Sequence, residues 1–333
     1  MKVLLVKTSS MGDVIHTFPA VTEALAARPD LVFDWLVEES FVDVARLHPG
    51  VRRVIPVAVR RWRKALLARE TRAEISDVKR ALRSESYDLV LDAQGLVKSA
   101  WLARFARRPI EGFDGGSVRE WPASLVYARA HTVATEAHAT ERTRRLFGAV
   151  FGYRPDLSRF VTGLERVGAG GDEVFLLHGT TWPTKRWPTE EWIALARGLA
   201  LDGLVPIVTH ADAEEEAVAA EIAAAVPEAV HLPKSKLATL AARLSAAKAA
   251  IGVDTGLTHL AAAFGVPTVA LFSSTVPGLT GPRGRATEIV ASRAPCAPCR
   301  KKDCPLTPGA ARLACHDTMA AERVLDAVRE MVR

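Results

Sequence analysis

Short apolar segments alternate with helical stretches along most of the chain, and they do so in two series. The strands predicted in the first series are residues 3–6, 33–37, 53–57 and 87–92. Those predicted in the second series are residues 174–177, 205–208, 249–253 and 267–272. Strands separated by helices in this way pair in parallel, with helices on both faces of the sheet. The pattern therefore predicts an α/β protein with two doubly wound parallel sheets.

The helices complete this division into domains. They are predicted at residues 14–27, 72–84, 189–201, 213–225, 237–246, 257–264 and 320–332. The alternation weakens between about residues 107 and 170, and the glycine-rich segment 168–171 is the predicted linker. A chain of 333 residues is long enough for two domains. We predict an N-terminal domain at 1–167, a C-terminal domain at 172–315 and a closing segment at 316–333.

The formal net charge of +6 is compatible with nucleic acid, an anionic membrane surface or an acidic ligand. The sequence has no RNA-binding signature and no helix-turn-helix pattern, so we expect no nucleic-acid partner. No apolar run reaches the roughly 18 residues that a membrane span needs, and the N-terminus lacks the features of a signal peptide. We therefore expect a cytoplasmic protein.

Polar segments follow four of the predicted strands. They are residues 9–13, 92–98, 178–188 and 254–259. In doubly wound sheets, ligands bind at the carboxyl ends of the strands. These four segments are therefore the candidate sites.

The two segments of the second series favour a nucleotide diphosphate. Thr255 and Gly256 lead into a helix whose N-terminus attracts anions, and His259 lies one turn further along. Lys185 in the other segment is a positive charge for a phosphate. A simple helix cap and a surface loop are the alternatives for these segments. Neither segment contains GxGxxG or a P-loop, so hydride transfer and nucleoside triphosphate hydrolysis are not supported.

Five stretches of the chain resemble one known family. They are VKTSSMGDVIHTFPA, PVAVRRWRK, DAQGLVKSAW, HGTTWPTKRWPTEEW and VDTGLTHLAAAFGVPTVALF. They resemble glycosyltransferase family 9, and within it the members that add the first heptose of the lipopolysaccharide inner core. The resemblance implies a GT-B fold, in which two Rossmann-like domains face a central cleft. It also implies an inverting, metal-independent enzyme that needs no cofactor.

The resemblance implies both substrates as well. The donor is ADP-L-glycero-D-manno-heptose, bound by the C-terminal domain, and the acceptor is the first Kdo of Kdo2-lipid A, bound by the N-terminal domain. Because this acceptor is an anionic lipid, we expect peripheral contact with the cytoplasmic face of the anionic inner membrane, to which each basic residue near the surface adds about 1 kcal/mol. The closing helix of the family implies that residues 320–332 pack back on the N-terminal domain.

Individual roles also follow from the resemblance. Asp13 matches the general base, and Lys185 matches a group that stabilises charge on the leaving diphosphate. The residues matching the donor site are Thr180, Thr181, Lys185, Asp254, Thr255, Gly256 and His259. The residues predicted to bind the acceptor are Ser10, Gly12, Arg60, Arg61, Trp62, Arg63, Lys64, Gln94, Lys98, Arg119 and Arg142. Trp62 is expected to offer an apolar or sugar-stacking face. The alternative role for Asp13 is that of a helix cap.

Two features depart from the expected pattern. Val276 stands where the family enzyme carries an acidic residue, so no carboxylate role is predicted for that loop. Cys296, Cys299, Cys304 and Cys315 have a spacing that suits zinc or a cluster, but reduced structural cysteines are the preferred interpretation. The alternative functions are transfer of the second heptose, sugar-nucleotide epimerisation and nucleotide-sugar binding without catalysis.

Overall fold

The computed structural model of the chain describes residues 1–168 and 171–332. The chain divides into two compact units, Met1–Leu164 and Glu165–Arg333. This division falls close to the predicted boundary at residue 167. The predicted glycine linker includes residues 169 and 170, which lie outside the described residues.

The N-terminal unit contains one six-stranded parallel sheet with the strand order β3-β2-β1-β4-β5-β6. Its strands are β1 Lys2–Val6, β2 Val32–Glu38, β3 Val51–Val57, β4 Leu89–Asp92, β5 Ile110–Phe113 and β6 Arg129–His131. Its α-helices are α1 Met11–Ile15, α2 Phe18–Ala27, α3 Val42–Arg46, α4 Val59–Trp62, α5 Arg69–Arg83, α6 Val97–Ala103 and α7 Ala139–Phe151. A 3-10 turn spans Trp121–Val126.

The chain changes direction across this sheet between β1 and β4. These two strands are buried at the centre, and Val6 pairs with Asp92 at their carboxyl ends. The strand order therefore reverses between them, and such a reversal opens a crevice for ligands outside the strand ends. The loops that leave Val6 and Asp92 meet at this crevice.

The C-terminal unit repeats the architecture, with the strand order β12-β11-β10-β7-β8-β9. Its strands are β7 Glu173–Leu177, β8 Val205–Val208, β9 Val230–His231, β10 Ala249–Val253, β11 Thr268–Phe272 and β12 Thr287–Ala291. Its α-helices are α8 Thr189–Leu201, α9 Ala213–Ala225, α10 Leu237–Ser245, α11 Gly256–Phe264, α12 Pro277–Thr280 and α13 Ala321–Val332. Here the reversal lies between β7 and β10, where Leu177 pairs with Gly252.

The closing helix α13 packs within the C-terminal unit. Its apolar side chains Val324, Leu325 and Val328 belong to the hydrophobic core of that unit, and the helix packs against α8. Leu325 occupies the space left by the missing side chain of Gly198 on α8. The apolar face of the helix is therefore used within its own unit, and the packing of residues 320–332 on the N-terminal domain stays a prediction.

The weak region of the alternation contains regular structure that the sequence analysis did not predict. The strands β5 and β6 and the helix α7 all lie between residues 107 and 170. The strands there are short, and the outermost, β6, is largely exposed, so no long apolar run marks them. The helix predicted at 14–27 is also divided in two, with α2 starting just before Pro19. Among the described residues, no helix combines the length and apolar character that crossing a bilayer requires.

Gly252 permits the close approach of β7, β10 and α11. A methyl group there would clash with Thr258 Oγ1 and lie 2.9 Å from the Leu177 Cβ. Overpacking of this kind costs about 1–3 kcal/mol. We expect Gly252→Ala to lower the free energy of unfolding by that amount in urea denaturation. Gly278→Ala is the matched control, since nothing lies within 4 Å of its added methyl group. Equal stability of the two variants would contradict this packing constraint.

Candidate active site

Gln94 holds the loop that follows β1. Its Oε1 accepts hydrogen bonds from the backbone N–H groups of Thr8 (2.7 Å) and Ser9 (3.1 Å), and its Nε2 donates to the Ser9 carbonyl. The side chain is only 2 % exposed. The sequence analysis predicted that Gln94 binds the acceptor. The structure instead places its amide inside the protein, where it fixes the β1 loop.

Asp92 fixes the neighbouring loop from the end of β4. Its Oδ1 accepts from the N–H groups of Gln94 (2.9 Å) and Gly95 (3.1 Å), and its Oδ2 accepts from the hydroxyls of Ser99 (2.9 Å) and Tyr127 (2.8 Å). Burial raises the pKa of Asp92, although these hydrogen bonds oppose the rise. Sequence analysis gave Asp92 no role. Its position at the strand end, before a glycine, was the available signal.

Asp13 lies in the first turn of α1, directly after the β1 loop. Its Oδ2 accepts a hydrogen bond from the Ser10 N–H at 3.0 Å, which is the contact expected of a helix cap. Its Oδ1 accepts one from Arg119 Nη2 at 2.9 Å. Burial favours a raised pKa for Asp13, but the charges of Lys7 and Arg119 and the Ser10 N–H hold it well below its usual range. Asp13 is therefore a carboxylate in the free protein.

Lys7 is a second buried charged residue near Asp13, at the end of β1. Its Nζ donates to the Ala93 carbonyl at 2.8 Å, and burial lowers its pKa to about 8. Lys7, Arg119 and Arg142 line one pocket at the end of the sheet. Arg142 also lies over the ring of Phe113, 5.2 Å from its centroid. Three cations around one pocket suit an anionic group such as a carboxylate or a phosphate.

The basic segment at 60–64 divides into structural and exposed residues. Arg61 forms ion pairs with Glu39 (3.0 Å) and Glu74 (2.9 Å). Trp62 is 2 % exposed, packs in the hydrophobic core and donates from its Nε1 to Glu74 at 2.7 Å. The prediction that Trp62 stacks on a sugar was therefore wrong, because no face of its ring reaches the surface. The tryptophan anchors α4 instead.

The other basic side chains of this segment are exposed. Arg60 lies over the ring of Phe41, and Arg63 and Lys64 have no ion pair among the described residues. Lys98 lies near this group. Burial lowers the pKa of Lys98, and the charges of Arg60 and Arg63 lower it further against the opposing charge of Glu38. Together these cations form an open basic surface beside the β1 loop.

The β1 loop and its surroundings carry three of the predicted acceptor contacts, Ser10, Gly12 and Lys98. Ser10 is exposed and Gly12 is half-buried in the first turn of α1. Lys98 donates from its Nζ to the Ser9 hydroxyl at 2.8 Å. Loop, basic surface and cation-lined pocket are thus all at the β1–β4 end of one sheet.

Asp254 is the centre of the corresponding place in the C-terminal unit, at the end of β10. Its Oδ2 is 2.7 Å from Lys185 Nζ and accepts from the Thr275 hydroxyl at 2.7 Å, while its Oδ1 is 3.4 Å from His259 Nε2. Burial favours a raised pKa for Asp254, but His259 and Lys185 hold it well below its usual range. Asp254 is thus a buried carboxylate that positions a lysine and a histidine.

Lys185 is carried by a short 3-10 turn after β7, Pro183–Lys185. Its Nζ lies 4.9 Å from the ring centroid of Trp182. The preceding residue, Thr184, is buried, and its hydroxyl lies within hydrogen-bonding distance of the carbonyls of Lys301 and Lys302. Sequence analysis did not single out Thr184. The turn that presents the Lys185 ammonium is therefore braced from a distant segment.

The N-terminus of α11 adds a positive dipole to this site. Thr255 precedes the helix and Gly256 starts it, and both are half-buried. The first N–H groups of a helix have no partner within it, and the helix dipole favours an anion there. Thr180 is half-buried and Thr181 exposed in the loop after β7. The predicted donor residues therefore surround the carboxyl ends of β7 and β10.

Glu215 is a further candidate that the sequence analysis missed. It lies in the first turn of α9, accepts a hydrogen bond from the Ala211 N–H at 2.7 Å, and its carboxylate fills the space beside Gly179 in the loop after β7. Burial raises the pKa of Glu215. An acidic residue after the second strand of such a sheet commonly binds ribose hydroxyls. Its place after β8 was the signal that could have found it.

The cysteine segment lies beside this site. Cys296, Cys299, Cys304 and Cys315 are free thiols that line one pocket together with Thr184. Among the described residues, no three His, Cys, Asp or Glu side chains are arranged to hold a metal ion. Val276 occupies the position before the short helix α12, and its side chain makes no capping hydrogen bond.

Comparisons with known proteins show similarity to one family along nearly the whole chain. The model of glycosyltransferase family 9 (heptosyltransferase) matches residues 75–309. Lipopolysaccharide heptosyltransferase 1 of Pseudomonas aeruginosa is 47% identical over 314 residues, which cover 92% of this chain and 88% of that protein. Two structures of the Escherichia coli heptosyltransferase WaaC, with ADP and with ADP-2-deoxy-2-fluoro heptose, are each 38% identical over 99% of both chains, with TM-scores of 0.88 and 0.85. The predicted class of two Rossmann-like parallel-sheet domains, GT-B, is confirmed.

The buried charge of Lys7 gives a test that depends on pH. Its pKa is about 8 in the folded chain and 10.5 in the unfolded chain, so below pH 8 the folded state carries the full penalty of a desolvated charge. The penalty is relieved as the pH rises from about 8 to about 10.5, where the unfolded chain binds more protons. Lys7→Met should therefore raise the free energy of unfolding by up to about 3 kcal/mol below pH 8, and this gain should shrink above it.

Urea denaturation at several pH values measures this difference. Lys236→Met is the control, because Lys236 is exposed and its replacement should have a small effect at every pH. A difference between wild type and Lys7→Met that does not change with pH would contradict the burial of a titrating charge.

Proposed function

Because the chain belongs to glycosyltransferase family 9, we propose that it transfers L-glycero-D-manno-heptose from ADP-heptose to the first Kdo of Kdo2-lipid A. The activity for which its relatives are named, heptose transfer in lipopolysaccharide synthesis, supports the reaction class. The ADP and ADP-sugar analogue bound by WaaC support the donor. The identities of the heptose epimer and of the acceptor are proposed in addition to the reaction class and the ADP-sugar donor.

One observation carries the proposal most directly, namely that each sheet has an anion-binding arrangement at its point of reversal, and that the two arrangements differ. The C-terminal unit has Lys185, held by Asp254, and the N-terminus of α11, which attract a diphosphate. The N-terminal unit has the carboxylate of Asp13 beside a pocket lined by three cations, which attract the acidic groups of an anionic acceptor. A transferase with an ADP-sugar donor and an anionic acceptor needs one such site for each substrate.

The proposed role of the C-terminal residues is to stabilise the leaving group. As the bond to the heptose breaks, negative charge grows on the β-phosphate of ADP. Lys185 and the N–H groups at the start of α11 supply positive charge that is already in position, which is the most effective form of such stabilisation. We propose that this positive charge serves in place of a metal ion, and that Thr180, Thr181 and Glu215 bind the rest of the nucleotide.

The proposed role of Asp13 is to take the proton of the acceptor hydroxyl. In the free protein its pKa is strongly depressed by Lys7 and Arg119, which makes it a weak base. A carboxylate of the acceptor that binds Arg119 would compete for the guanidinium that Asp13 now holds. The pKa of Asp13 would then rise towards its ordinary range when the substrate arrives. The ion pair thus keeps the base inactive until an anionic acceptor is bound.

A coupled assay tests the proposed function against its alternatives. The protein is incubated with ADP-heptose, with and without Kdo2-lipid A, and ADP release and the sugar product are followed. Release of ADP that depends on the acceptor supports transfer. A changed sugar without ADP release would indicate epimerisation, and donor binding with neither result would indicate a binding protein. Activity only with an acceptor that already bears one heptose would indicate transfer of the second heptose.

Asp13→Asn separates a base from a helix cap. The amide oxygen of asparagine can still accept the hydrogen bond from the Ser10 N–H, but the side chain cannot take a proton. We expect kcat to fall at least about 100-fold, the usual contribution of a general base, while affinity for ADP-heptose stays unchanged. Asp30→Asn, at an exposed carboxylate of the same unit, is the control. If Asp13→Asn keeps activity within about tenfold, Asp13 serves only as a cap.

Lys185→Met tests the diphosphate site by titration calorimetry. A charged hydrogen bond to a phosphate contributes about 1.5–3 kcal/mol, so affinity for ADP should fall about 10- to 100-fold. Affinity for adenosine, which has no phosphate, should be unchanged. Lys185→Arg keeps the charge and should recover part of the loss. Equal losses for ADP and adenosine would show that Lys185 supports the fold of the site and does not bind phosphate.

A further inference from the structure

Several large apolar side chains of the N-terminal unit are exposed in three short segments. Trp121 and Leu125 belong to the 3-10 turn Trp121–Val126 and are 64% and 71% exposed. Val97 and Trp101 lie on α6, and Leu66 and Leu67 follow α4, where Leu67 is 86% exposed. We call these six side chains the apolar rim. Large apolar residues grouped on a surface mark an interaction site more often than isolated ones do.

The apolar rim adjoins the candidate acceptor site. Trp121 is two residues after Arg119, which contacts Asp13, and Val97 directly precedes Lys98, which contacts the Ser9 hydroxyl. The two segments are joined, since the Val97 N–H donates to Glu120 Oε2 at 2.7 Å and α6 packs against the 3-10 turn. Leu66 and Leu67 follow the exposed cations Arg63 and Lys64. The rim therefore borders the β1–β4 end of the sheet.

The charges around the rim are mainly positive. Six basic residues lie within or next to its segments, and all but the half-buried Lys98 are exposed. They are Arg63, Lys64, Lys98, Arg104, Arg107 and Arg108. Glu120 is the acidic residue next to Trp121, and its carboxylate already accepts from the Val97 N–H. Tryptophan and leucine beside arginine and lysine are the composition of surfaces that lie in the headgroup region of anionic bilayers.

We propose that the apolar rim is the surface by which the N-terminal unit inserts into the headgroup region of an anionic lipid bilayer. The proposal rests on the proposed function, because a lipid-anchored acceptor keeps its acyl chains in the bilayer while its sugar reaches Asp13. Surface next to Asp13 must then lie against lipid headgroups. A second copy of the chain would carry the same positive charge on this face and would be repelled by it. The positive border matches the negative charge of the lipids.

Vesicle sedimentation without any acceptor lipid tests the surface apart from the catalytic site. Wild type should bind vesicles of phosphatidylglycerol and phosphatidylethanolamine, and bind vesicles of phosphatidylcholine alone much less. The double variant Trp121→Ser with Leu125→Ser should lower binding to the anionic vesicles at least about tenfold, because two large apolar side chains no longer enter the interface. Leu201→Ser is the matched control, since Leu201 is 88% exposed in the other unit. It should bind as wild type does.

Activity measured with two forms of the acceptor distinguishes the docking surface from the proposed function. On an acceptor sugar without acyl chains, the double variant should keep the rate of wild type, while on the acceptor in vesicles its rate should fall with its binding. Absence of wild-type activity on both acceptors would overturn the proposed function and leave the vesicle result standing. Unchanged vesicle binding by the double variant would overturn the rim as the docking surface. An equal loss of vesicle binding in Leu201→Ser would also overturn it. So would sedimentation velocity that shows wild type as a dimer and the double variant as a monomer.

Discussion

The parallel pairing of two central strands in each unit is the constraint on which the rest of the structure depends. β1 pairs with β4 and β7 pairs with β10, and all four strands are buried. Because the chain runs outward in opposite directions from each pair, the loops after the paired strands diverge and leave room between them. Asp13, Lys185 and Asp254 all lie in segments that follow these strands. The helices cover the sheets and pack apolar side chains against them.

Each crevice also places a carboxylate where burial would normally favour its neutral form. Asp13 and Asp254 both remain ionised, because a cation and hydrogen-bond donors compensate for the lost water. The partners differ in kind. Arg119 is half-exposed and reaches Asp13 from solvent, whereas Lys185 and His259 enclose Asp254 from within the fold. The first arrangement is open to solvent on the side of Arg119, and the second is enclosed by the fold.

The sequence predicted the strands of both sheets where apolar runs are long, and the bounds of α8, α9, β8 and β10 agree with it. It could not predict the features that tertiary packing decides. The edge strand β6 has too few buried residues to form a pattern, and α13 has an apolar stripe that says nothing about which unit it covers. An apolar stripe of this kind shows that the helix packs against another surface of the protein. Which surface that is depends on the fit between side chains, which the pattern does not contain.

In the candidate site, too, some features could be predicted from the sequence and others depended on tertiary packing. Charged residues at strand ends were predictable, since their place follows from the topology alone. The burial of Trp62 and Gln94 was not, because tryptophan and glutamine occur both at binding surfaces and in interiors. Thr184 and Glu215 were missed because each acts through contacts with residues that are distant in sequence.

The bracing of Thr184 by the carbonyls of Lys301 and Lys302 has a consequence for the loop after β7. A lysine on a free loop loses conformational entropy each time it binds, and affinity falls accordingly. Here the turn that carries the Lys185 ammonium is already held in the free protein by the hydrogen bonds of Thr184. The stiffness of this turn therefore depends on residues that lie 117 and 118 positions away in the sequence.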